Sequence, residues 1–286
     1  MKATPAIQDR VAGSSEHGLL ITTRGAALLA GISYVAMFVL AIFANFVVRQ
    51  GLIEPDNAAV TVANLTVSIG LFRLGVIAFL VIFLLDVVIA WALYIVFREV
   101  SRDLSLGAAW FRLVYSAFLG VALVFLYRAM QLVTDAGIAS ALGGDQINAQ
   151  TMVALESFDK VWRVGLVAFG VHLVLIGYLV IRSGMASPVL GYLLVAAGIA
   201  YGLDSVARTL MDNYPSFAAL FQAMVAVPSM IGEGWLGLWL LLGRRHAGEA
   251  KPADRDPGLA QCVVGIVAIW ADPATTDEVG WSAADR

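Results

Sequence analysis

Three titratable residues, Asp86, His172 and Glu233, stand deep inside otherwise apolar runs of the chain. A carboxylate at the centre of a membrane helix costs roughly 2.5–3.5 kcal/mol on insertion scales, so it turns toward protein or water and takes a partner. At about 1.5 Å of rise per residue, Asp86 lies about 16 Å before Phe97, where its run ends. Glu233 and His172 each lie about 14 Å before the ends of theirs, at Leu242 and Ile181. All three runs point the same way across a bilayer, so the three side chains share one depth. Two carboxylates and an imidazole at one level could form a midplane polar site: a proton relay, a cation site or a ligand site. Asp86 and Glu233 would repel each other if both ionised, unless one is protonated or His172 or a bound cation compensates. The plainer alternative is that the three hydrogen-bond across helices and fix their packing.

A second set gathers near the opposite ends of the runs: Arg73, Arg128, Arg163, Asp204 and Arg208, with Glu156, Asp159 and Lys160 beside them. Mixed signs suggest ion pairs closing that face, with arginines snorkelling to the interface. The sharper reading is a vestibule holding an anionic headgroup or substrate. Gly198 and Gly202 form a small-x-x-x-small ridge, which predicts close helix packing or a homo-oligomer contact. Pro228, with Gly232 and Gly234 flanking Glu233, predicts a kink beside that carboxylate. No His-Glu-x-x-His zinc helix, phosphate-binding Gly-rich loop or Gly-x-Ser-x-Gly turn is present. No pattern names a cofactor or a metal site, and no catalytic residue is assigned.

The elements that must carry these residues are membrane helices. Of the 286 residues, 60% are hydrophobic and 14% charged, far from the balance of a soluble globule. A span needs about 20 mostly apolar residues to cross about 30 Å of hydrocarbon. Six runs qualify: 25–48, 74–97, 113–133, 164–181, 188–203 and 217–242. The first is too long for a signal-peptide core and reads as a retained span. The fold class expected is all-α, a six-helix membrane bundle at 25–245 between a cytoplasmic segment at 1–24 and a tail at 246–286. Twelve lysines and arginines, Arg112 among them, fall on the side shared by both termini and six on the other, so both termini are expected in the cytoplasm of a plasma-membrane protein.

Between the third and fourth runs, residues 146–163 place Met152, Leu155, Phe158 and Trp162 at helical spacing. This predicts an interfacial helix leading into the fourth span, with Trp162 at headgroup level. The tail carries seven acidic and three basic residues, leaving the body nearly neutral, without the basic footprint of a nucleic-acid binder. Its Pro, Ala and Asp content predicts a disordered extension, although 262–270 (CVVGIVAIW) is apolar. Cys262 is the only cysteine, so no intrachain disulfide can form.

Three strings, LFRLGVIAFLVIFLLDVVIAWALY at 71–94, FGVHLVLIGYLVIRSG at 169–184 and GEGWLGLWLLLGR at 232–244, resemble an uncharacterised bacterial membrane family, domain-of-unknown-function family 4386. The resemblance covers about residues 24–245 and implies a six-helix integral membrane protein without an assigned activity. Function therefore rests on the residues themselves. The sequence ranks a non-catalytic membrane scaffold or regulator first. Second is a protein handling a small molecule, ion or proton at Asp86, His172 and Glu233, and third is a membrane-embedded enzyme acting on lipid. The lipid bilayer is the one partner it requires.

Overall fold

The structure is a computed structural model and describes residues 21–243. The segment before residue 21 and the tail after 243, with its apolar stretch at 262–270, lie outside the described residues. Eight helices and no strand are found among the described residues. They are α1 (Thr23–Leu52), α2 (Ala58–Val67), α3 (Ile69–Phe97), α4 (Arg102–Thr134), α5 (Ala136–Leu142), α6 (Gly144–Ser183), α7 (Pro188–Leu210) and α8 (Tyr214–Leu242). Six of them, all but α2 and α5, are long and apolar enough to cross a membrane. The protein is an all-α, multi-pass membrane protein.

Local chemistry sets the helix ends. Thr22 accepts the Gly25 N–H on its hydroxyl, Asn57 accepts that of Val60, and Asp135 accepts those of Gly137 and Ile138. These bonds satisfy backbone donors that a first turn leaves open. Gly184, at φ +62°, takes the left-handed conformation that ends α6, and Pro188 opens α7 where its missing N–H is not needed. α1 passes through one π-helical stretch, Phe43–Arg49. α8 continues through Pro228 as one helix.

The spanning helices form a closed ring. α1 packs on α3, α3 on α4, α4 on α6, α6 on α7, α7 on α8, and α8 returns to α1. The tightest crossing is α6 on α7, where glycines meet glycines. A Cβ on Gly177 would stand 2.6 Å from the Gly191 carbonyl oxygen, and one on Gly170 would stand 2.7 Å from that of Gly198. Both pairs repeat every seven residues, two helical turns, so the backbones touch along one line. Gly198 thus spends its small face inside the chain, against Gly170 and Val174 of α6, whereas a Cβ on Gly202 would meet nothing within 4 Å.

Residues 146–163 are helical and run straight into the fourth span, α6 being continuous over 40 residues. Trp162 donates its indole N–H to the Tyr115 hydroxyl (3.1 Å). It packs with Phe79 and Phe158 (ring centroids 6.0 and 5.7 Å) in the core toward the end of the bundle away from Thr23 and Leu242. α6 is about 60 Å long at helical rise, and its apolar stripe buries against α3 and α4 before reaching the glycine crossing. One expectation needs correction, that of Arg112. It is no flanking basic residue, because α4 begins at Arg102 and carries Arg112 ten residues into the bundle.

Candidate functional site

Arg112 is the centre of the site and is completely buried. It sits on the stripe of α4 that also buries Ala108, Tyr115 and Leu119, the face turned to the inside of the ring. Its depth, about 15 Å from the start of α4, equals that of Asp86 on α3 and of Tyr34 on α1. An arginine at that level must find acceptors, and it finds four. Nη2 stands 2.6 Å from Asp86 Oδ1 and 3.6 Å from Met37 Sδ. Nη1 donates to the Tyr34 hydroxyl at 3.0 Å and stands 3.1 Å from His172 Nε2. The guanidinium also lies over the rings of Tyr34 and Phe169, 5.1 and 5.3 Å from their centroids. Its Nε–H has no acceptor.

His172 is oriented from both sides. Its Nδ1 is 2.8 Å from the Ala108 carbonyl oxygen, an acceptor only, so Nδ1 carries the proton. Nε2 then offers its lone pair to Arg112, a donor only. The imidazole thereby ties α6 to α4 at two points. Asp86 is 1% exposed, and apart from the guanidinium no donor reaches either of its oxygens.

Glu233 approaches from α8. The Ser229 hydroxyl donates to its Oε1 at 2.7 Å, so the Tyr201 hydroxyl, 3.3 Å from Ser229 Oγ, must donate to Ser229 in turn. This chain joins α7 to α8. Arg112 and Asp86 are within electrostatic reach of Glu233. Of the three sequence candidates, Asp86 and His172 therefore share one arginine, and Glu233 faces them across open space.

That space is a cavity of about 390 Å³. Asp86, Arg112, Ser229 and Glu233 form its polar wall; Phe79, Tyr115, Trp162, Phe169 and Tyr201 supply most of the rest. On α1 and α8 it is lined by Val35, Val39, Met230 and Leu238, all exposed on the outer surface of the bundle. Val35 and Val39 belong to a continuous apolar stripe with Leu28, Ile32, Ile42 and Phe46, the face α1 turns to hydrocarbon. The cavity thus opens sideways between α1 and α8. Below the opening the two helices close where Gly31 meets Leu241 and Gly237 meets Tyr34.

Part of the second sequence set is held in local bonds. Arg208 pairs with Asp204 (2.8 Å), which also accepts the Tyr214 hydroxyl (2.6 Å), and Arg208 lies over the Tyr214 ring. Arg128 bonds Gln131 on its own helix, Lys160 pairs with Glu156, Arg73 is exposed and Arg163 half-buried. Arg49, at the end of the π-helical stretch, pairs with Asp159 of α6 and closes α1 onto α6 there. Among the described residues no group of three or more His, Cys, Asp and Glu could hold a metal ion.

Arg112, Tyr34, Tyr201 and Ser229 complete a site of which sequence reasoning named three residues. Arg112 carried a signal, because Ala108, Arg112, Tyr115 and Leu119 follow helical spacing. An apolar window that begins at Leu113 hides it. The uncharged partners carry no insertion penalty and leave no such trace.

A ring of six membrane helices enclosing a buried ion pair and a laterally open cavity is the class this architecture defines. The family model of the Domain of unknown function (DUF4386) matches residues 29–243, and the chain belongs to that family. A protein of Archaeoglobus fulgidus described as "Uncharacterized protein" is 26% identical over 175 residues, covering 61% of this chain and 86% of that protein. No solved structure matches.

Proposed function

We propose that the chain handles a small molecule inside the bilayer, bound in the cavity between α1 and α8 with Asp86, Arg112 and Glu233 at its polar end. The observation that carries this reading is the cavity itself. Its volume lies within the range of small-molecule sites, about 300–1,000 Å³, and its walls are apolar with a few convergent polar groups. A scaffold whose polar residues served packing alone would have no need of open space beside a buried ion pair. A solid core does exist, around Phe72, Leu126 and Phe158, and the cavity lies beside it, sharing Phe79 as wall. On the opposite face Arg128 and Arg208 are engaged by partners on their own helices and Arg49 by Asp159 of α6, which weakens the lipid-enzyme reading.

Gly234 gives the test. It lines the cavity, and a Cβ there would meet nothing within 4 Å, so Gly234→Leu fills the space without displacing a neighbour. Gly202→Leu adds the same bulk to α7 away from the cavity. Native mass spectrometry of the full chain released from its membranes should show a bound small molecule on wild type and on Gly202→Leu but not on Gly234→Leu. Identical spectra for all three would overturn the reading.

A further inference from the structure

We infer that the cavity selects a lipophilic cation, an apolar body carrying a protonated amine or comparable positive group, which enters sideways from the bilayer. This rests on the small-molecule reading above and names the ligand class. Two carboxyl groups, Asp86 and Glu233, face one guanidinium, so acidic groups outnumber basic ones on the polar wall. The arginine is largely engaged: Nη1 has the Tyr34 hydroxyl and His172 Nε2, Nη2 has Met37 Sδ and the ion pair with Asp86, and Nε–H alone faces no protein partner. The acceptors are not consumed. Asp86, 1% exposed, has an oxygen that no donor reaches, and Glu233 holds a single described donor, Ser229.

A buried carboxyl oxygen without a donor on Asp86, with the half-buried Glu233 nearby, favours a guest that brings N–H groups and positive charge. The remaining wall supports the same choice. Tyr34, Phe38, Tyr115, Trp162, Phe169 and Tyr201 surround the space, and aromatic faces attract cations. The mouth between Val35 and Val39 of α1 and Met230 and Leu238 of α8 lies on the hydrocarbon-facing surface, so the guest arrives from lipid and its body is apolar.

The test uses the full chain in phosphatidylcholine nanodiscs, with empty nanodiscs as blank, and rhodamine 6G as a fluorescent lipophilic cation read by anisotropy. Saturable binding is expected in wild type. Dodecylamine should displace the probe, while dodecanoate, of the same chain length, should not. Glu233→Gln should weaken rhodamine 6G by about tenfold or more, the effect of losing one charge-assisted contact. Gly234→Leu should abolish binding. If dodecanoate or dodecanol competes as well as dodecylamine and Glu233→Gln changes nothing while Gly234→Leu still blocks, the cation preference is wrong and the small-molecule reading survives. If no probe binds saturably and Gly234→Leu is without effect, both fall.

Discussion

Arg112 turns three separated polar residues into one electrostatic unit. A buried pair gives little net stability over an apolar substitute, but breaking it strands a charge, typically at about 3–5 kcal/mol. Arg112→Met and Asp86→Leu are each expected to destabilise the bundle by about that amount. The double variant should recover most of the loss, because neither charge is then orphaned. Unfolding titrations in mixed micelles check this, and strictly additive losses would separate the two residues. Asp86, His172 and Glu233 were legible because a titratable group in an apolar run is conspicuous. The compensator that these residues demand is hidden, since Arg112 stands immediately before the apolar run that begins at Leu113 and reads as a flanking basic residue until the helix is seen to start at Arg102.

Among the elements, the α6–α7 crossing is the tightest constraint. Gly177→Val would drive a branched side chain into the Gly191 carbonyl, where even a Cβ stands 2.6 Å away. It is expected to cost at least about 1–3 kcal/mol, as overpacking does. Gly202→Ala should be neutral or stabilising by roughly 0.5–1 kcal/mol, since the site is open and alanine favours helix. Scanning fluorimetry of the two variants distinguishes the positions, and equal effects would contradict the packing described. Hydropathy located all six spans, because twenty apolar residues announce themselves. It shortened α4 and α6 at their starts, where polar residues on one face lower the average although the other face is buried. The helix Ala58–Val67 escaped notice, being too short to span and capped only by Asn57. Gly143, at φ +72°, ends α5 and starts α6.

For the whole molecule, six spans require that the α5–α6 turn and the end of α8 lie on opposite faces of the membrane. Reporter fusions after Gly143 and after Gly248 should therefore signal from opposite compartments, and signals from one compartment would remove a span. Removing Arg112 from the flanking residues leaves eleven basic residues against six, so we keep the orientation with both termini cytoplasmic as a proposal. Ring closure could not be read from the sequence, since nothing in α1 or α8 states that they meet; it is this closure that gives Asp86 and Glu233 a common space.

The central claim, a guest held beside Arg112, is tested most directly by photolabelling with a diazirine-bearing long-chain amine in nanodiscs, followed by peptide mapping. Labelling should concentrate on the α1 stretch around Val35 and Phe38 and the α8 stretch around Met230 and Leu238, saturate with probe, and disappear with excess dodecylamine. Labels confined to lipid-facing positions such as Val121 and Val124 of α4, rising linearly with probe and indifferent to competitor, would show that the cavity holds no guest and contradict the account.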